Sequence, residues 1–150
     1  MPPGLYGYAA LAVAAGSLLP LQALINARLG TELRGAEWAA TVNFAVGTVA
    51  LVAFQTVRGA TWPTAGMLSQ LPLWVWVGGL LGAFFVTTGA LAAPRLGAAL
   101  FVALLVAGQM ASALLLDHFG VLHERTPITW ARLAGALLLV AGVALIMRRP

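Results

Sequence analysis

Five stretches of this 150-residue chain carry no charge at all: residues 1–27, 38–57, 59–94, 96–116 and 133–147. A helix that crosses a bilayer needs about 20 mostly apolar residues, with a range of roughly 17–25. Charged residues make up only 8% of the chain and hydrophobic ones 61%, whereas a soluble domain carries about 25% charged residues. Mean hydropathy is +0.96. So few charges cannot cover a water-facing surface, which excludes an ordinary soluble enzyme, a nucleic-acid module and a disordered segment. One domain is expected at this length, and its solvent is lipid.

The charge-free stretches predict five spans, near 6–28, 38–57, 73–94, 96–116 and 128–147. Each must be helical, because lipid offers no partner to an open backbone group. The stretch 59–94 is too long for one span. Its first part holds Gly59, Thr61, Pro63, Thr64, Gly66, Ser69 and Gln70, a turn-rich set that reads as an interfacial loop. The opening Met-Pro-Pro-Gly has no basic residue and precedes a long apolar run, so the first stretch reads as a span and not as a cleaved signal peptide. Tyr6, Tyr8, Trp62, Trp74 and Trp130 fall at span ends on one side of the membrane, and Trp38 on the other. These are the headgroup levels that Trp and Tyr favour.

With the N-terminal side called A and the opposite side B, side B receives Arg28, Arg34, Arg95, Arg148 and Arg149. Side A receives Arg58, Arg125 and Arg132. The positive-inside rule makes B cytoplasmic, by a margin small enough to allow insertion in both orientations. The sequence pI near 11.2 does not mark a nucleic-acid partner. The eight basic residues are all arginine and dispersed, which suits membrane-edge anchors. No cysteine and two histidines leave no disulfide, no thiolate and no zinc ligand set. No cofactor or metal is expected, and no enzyme: Ser17, Ser69 and Ser112 have no His/Asp partners, and no phosphate loop precedes a helix.

Polar residues inside the spans are the candidates for function. Gln22 and Asn26 stand four apart on one face of the first span, below Pro20, which frees a backbone acceptor. The second span adds Asn43, the third Thr87 and Thr88, and the fourth Gln109. Such amides can simply hold helices together, at about 0.6–2 kcal/mol each, or they can line a polar cavity. Several in one small bundle favour the cavity. At about 1.5 Å per residue, Gln22 lies roughly 9 Å below the B surface, level with Asn43 and Thr88. Gln109 lies roughly 10 Å below the A surface, so inverting a second copy brings its Gln109 to the level of the first copy's Gln22.

Small residues mark packing faces. Gly78 and Gly82 form a GxxxG pair, Ala103, Ala107 and Ala111 recur at four-residue steps beside Gly108 and Ser112, and the last span carries Ala131, Gly135 and Gly142. Asp117 closes the fourth span and Arg132 opens the fifth, both on side A. They form either an interfacial ion pair or a titrating gate. Arg28, Glu32, Arg34 and Glu37 read as a solvated loop.

The runs Leu19-Pro20-Leu21-Gln22…Asn26-Ala27…Leu29-Gly30, Asn43-Phe44…Gly47 and Gly78-Gly79-Leu80-Leu81-Gly82-Ala83-Phe84 resemble the YdcZ-type family. So do Gly97-Ala98-Ala99…Gly108-Gln109…Asp117-His118-Phe119-Gly120 and Thr129…Arg132-Leu133…Gly135. The likeness covers essentially the whole chain. It implies a five-helix branch of the drug/metabolite transporter superfamily, in the bacterial inner membrane, as half of a ten-helix inverted-repeat transporter. The small multidrug resistance proteins are similar in plan and act as antiparallel dimers. They use a glutamate in their first helix for proton coupling; here Gln22 and Asn26 stand in that span, and no acid does.

The expectation is therefore an all-α membrane protein of five helices, assembled with a second, inverted copy of itself or with an oppositely oriented paralogue. It would transport a small polar or neutral solute through a cavity lined by Gln22, Asn26, Asn43, Thr87, Thr88 and Gln109. A non-transporting interaction protein and a channel are the rival readings.

Overall fold

The computed structural model describes residues 3–122 and 124–148. Arg149, counted above among the side B arginines, lies outside the described residues. The elements run α1 (Pro3–Glu32), α2 (Ala36–Val57), α3 (Ala65–Ser69), a 3₁₀ turn (Leu73–Trp76), α4 (Val77–Leu96), α5 (Ala98–Phe119) and α6 (Trp130–Met147). All described secondary structure is helical, and five helices are long and apolar enough to cross a membrane: Leu5–Glu32, Ala36–Val57, Leu73–Leu96, Ala98–Phe119 and Trp130–Met147. The turn-rich segment before Leu73 is not all loop. Thr64 caps α3 by accepting from the Met67 N–H at 3.3 Å, and the helix lasts only five residues.

Where the helices end has local causes. α1 passes Pro20 without interruption. The residue one turn earlier, whose carbonyl a proline ring would crowd, is Gly16. At 30 residues, α1 measures about 45 Å at 1.5 Å per residue, well beyond the roughly 30 Å hydrocarbon core. Its last turn is therefore the wet end, carrying the Arg28–Glu32 ion pair with both side chains largely exposed. α4 stops where Gly97 adopts φ 83°, a conformation that a glycine takes without strain.

Two chain reversals share one geometry and differ in residue. After α5, Gly120 sits at φ 66°, its N–H bonding the Asp117 carbonyl at 3.3 Å while the Val121 N–H reaches the Leu116 carbonyl at 3.0 Å. That is a Schellman ending with glycine at its left-handed position. After α1, the Arg34 N–H bonds the Thr31 carbonyl at 3.4 Å and the Gly35 N–H the Gly30 carbonyl at 2.9 Å. The left-handed residue here is Arg34, at φ 59°. The turn is tight: a Cβ added to Gly30 would stand 3.3 Å from the Ala36 Cα, and one on Gly35 would run into the Glu37 carboxylate.

The chain divides into two compact units, Met1–Pro94 and Arg95–Pro150. In the first, α1 and α2 pack as a pair, and α1 buries Ala23 and Asn26 while α2 buries Ala36, Ala39 and Ala40. Small side chains at these positions let two backbones approach closely. α4 buries a single stripe, Val86, Gly89, Ala90 and Ala93. Higher on the same helix, a Cβ at Gly82 would lie 3.1 Å from the Phe44 ring of α2. Gly78, its GxxxG partner, has nothing within 4 Å. In the second unit, α5 and α6 form a packed antiparallel hairpin.

Candidate functional site

In the first unit, Asn26 is 3% exposed, Gln22 one turn before it is half-buried, and so are Asn43 of α2 and Thr87 of α4. Thr88 is exposed. The helical spacing of Gln22 and Asn26 puts both on one face of α1, and Ala23, beside them, is buried. Three other threonines of the first unit satisfy themselves: Thr31, Thr41 and Thr56 donate to carbonyls one turn earlier, at 3.1, 2.9 and 2.8 Å. Among the described residues, no side-chain hydrogen bond engages Gln22, Asn26, Asn43, Thr87 or Thr88. No fully buried side-chain polar atom lacks a partner among those residues either, so the tip of the Asn26 amide keeps access to open space.

In the second unit Gln109 is exposed, and it too makes no side-chain hydrogen bond among the described residues. The charged pair lies toward the loop end of the hairpin. Arg132 Nη2 stands 3.0 Å from Asp117 Oδ2, with the side chains 39% and 28% exposed. Below the pair, α5 and α6 enclose a groove of about 500 Å³ lined by Met110, Ala113, Leu114, Gly135, Ala136 and Leu139. Gly108 and Gly135 each have open space where a Cβ would stand.

The sequence reading missed the loop that holds this end together. Three bonds fold it back on α5: the Thr126 N–H to the Asp117 carbonyl at 2.8 Å, the Ile128 N–H to His118 Nδ1 at 3.4 Å, and Arg125 Nε to the His118 carbonyl at 2.9 Å. Thr129 then starts α6 by accepting from the Arg132 N–H at 3.3 Å. The N-cap was readable, a threonine just before an apolar run. The imidazole and guanidinium contacts were not, because they depend on the loop's path.

A family described as "Putative inner membrane exporter, YdcZ" matches residues 7–145. The chain belongs to the YdcZ family. The inner membrane protein YdcZ of Escherichia coli (strain K12) is 31% identical over 140 residues, covering 93% of this chain and 94% of that protein. No solved structure matches the chain. Membership in the YdcZ family and five span-length helices together make this a multi-pass membrane protein of an inner-membrane exporter family. The motif-bearing residues Gln22, Asn26, Asn43, Gly78, Gly82, Gly108, Gln109, Asp117, Arg132 and Gly135 all fall within the matched YdcZ segment.

Proposed function

We propose that this chain exports a small polar or neutral solute as one half of an antiparallel pair. Gln22, Asn26, Asn43, Thr87 and Thr88 of one copy and Gln109 of its inverted partner line the path. The observation that carries the reading is the set of amides and hydroxyls on spanning helices with no side-chain hydrogen bond among the described residues. Polar groups left without partners in an apolar medium are costly, so this capacity calls for a partner outside the protomer. Amides both donate and accept, which suits hydroxyl, amide or guanidinium-like groups. The absence of a carboxylate among these residues argues against a strongly charged cation as cargo.

An inverted second copy supplies the missing half. Gln109 of one copy and Gln22 of the other then meet at similar depth, by the rise of about 1.5 Å per residue. The test uses Gln109→Leu in liposomes. One amide contributes about 0.6–2 kcal/mol in a membrane, so the dimer fraction should hold while solute flux falls. Loss of dimer with unchanged flux per dimer would assign Gln109 to helix packing and end the cavity reading. Because the chain has no cysteine, a single cysteine at Arg148 reports orientation. Labelling from both membrane faces is expected of an antiparallel homodimer, and labelling from one face alone would exclude it.

A further inference from the structure

The geometry points to His118 as a proton-operated latch on the loop between α5 and α6: the neutral imidazole holds the entry to α6, and protonation releases it. His118 lies in the last turn of α5 and is half-buried, its ring edge-on to Phe119 at 5.1 Å. Its Nδ1 accepts the Ile128 N–H at 3.4 Å, a contact that closes the loop across ten residues. A neutral imidazole has one nitrogen that donates and one that accepts. Acceptance at Nδ1 therefore puts the ring proton on Nε2.

Protonation reverses this contact. In the imidazolium both nitrogens carry N–H groups, so Nδ1–H would face the Ile128 N–H, donor against donor. The bond belongs to the neutral form alone: it is present at high pH and lost as pH falls. Histidine is the side chain that ordinarily makes this change between about pH 5 and 8. The other two bonds that fold the loop back end on main-chain carbonyls, the Thr126 N–H on Asp117 at 2.8 Å and Arg125 Nε on His118 at 2.9 Å. Carbonyls do not titrate, so of the three bonds only the one from Ile128 has an acceptor that a proton removes.

The place of that bond gives its loss a consequence. Pro127 has no N–H, so beyond Thr126 the Ile128 N–H is the next main-chain donor. Thr129, directly after it, caps α6. Losing the bond frees the chain between Thr126 and the cap while the start of the loop stays held. Asp117, beside His118, and Arg132, in the first turn of α6, both line the groove, so the switch acts at the groove's loop end. The charged groups around the imidazole are Asp117 of α5, paired with Arg132 of α6 at 3.0 Å, and Arg125 and the exposed Glu124 of the loop. The latch belongs to one hairpin, so it operates whether or not two copies pair.

Amide hydrogen exchange of the purified protein at about pH 8 and about pH 5, the range over which histidine changes charge, tests the latch. Protection factors from mass spectrometry remove the chemical pH dependence of exchange itself. Protection of residues 126–129 should fall about tenfold at the lower pH, one hydrogen bond's worth, while peptides of α1 keep theirs. His118→Asn, whose side-chain oxygen can stand in place of Nδ1 without titrating, should stay protected at both pH values. His118→Leu has no acceptor and should be unprotected at both; should it lose helix content, His118→Asn decides alone. His123, the chain's other histidine, lies outside the described residues, and His123→Gln should behave as the unsubstituted chain. Equal protection at the two pH values in the unsubstituted chain would overturn the latch. So would a pH-dependent loss that persists in His118→Asn or disappears in His123→Gln.

Discussion

Arg34 and Gly120 occupy equivalent left-handed positions at two helix ends, at φ 59° and 66°, and substitutions there should act with opposite sign. A residue with a Cβ pays about 1–2 kcal/mol to sit in this conformation. Glycine escapes that strain but loses about 0.4–1 kcal/mol through its freer unfolded chain. For Arg34→Gly the two effects leave a net gain of roughly 0.5–1 kcal/mol, about a twofold to fivefold rise in the folded-to-unfolded ratio. The guanidinium contributes little to offset this, since Arg34 is exposed and its turn is held by backbone bonds. Arg34→Ala separates the causes: it removes the charge and keeps the Cβ strain. Detergent-solubilised protein, unfolded by titration with denaturing detergent and followed by tryptophan fluorescence, gives the comparison. Arg34→Gly should be more stable than both Arg34→Ala and the unsubstituted chain. Equal stability of the glycine and alanine variants would refute the strain argument.

The remaining expectations use the same assay or a close variant. Gly120→Ala should destabilise by at least about 1–2 kcal/mol, because its Cβ would also stand 3.1–3.2 Å from Arg125 atoms; unchanged stability would remove the reversal from the account. Gly82→Ala should lower stability by about 1 kcal/mol through pressure on the Phe44 ring, and Phe44→Leu should restore it. Gly78→Ala, with open space at its Cβ, should leave the protomer unharmed or gain up to about 1 kcal/mol from helix propensity. Loss of the dimer in that variant alone would place Gly78 between copies. Thr129→Ala should cost about 1 kcal/mol through the lost N-cap of α6.

The spans were legible because charge in lipid is so restricted that Arg28, Glu37, Arg58, Arg95 and Arg132 mark the ends almost by themselves. Their finer limits were not. α1 continues a turn beyond Arg28, because nothing before Arg34 breaks it, and α5 runs on past Asp117 to the reversal at Gly120. The polar candidates were equally visible as residue types, yet their burial was not. Asn26 is buried and Gln109 exposed, although both are amides in apolar helices, because burial depends on which faces the tertiary packing covers. Asp117 and Arg132 could be set at facing helix ends from spacing alone. The loop contacts through His118 and Arg125 carry no period or motif, so only the folded path of residues 120–129 reveals them.

The latched hairpin of α5 and α6 also bears on how the chain enters a membrane. In any copy whose α5–α6 loop is translocated, Asp117 and Arg132 must both cross the hydrocarbon, where a lone Asp or Arg at the centre costs about 2.5–3.5 kcal/mol. Joined at 3.0 Å, they travel as a neutral dipole, and the bonds from Thr126 and Ile128 cover part of the loop's own polar cargo. Two helices joined in this way can insert together as one preassembled unit, with the ion pair at their tip lowering the cost of the crossing.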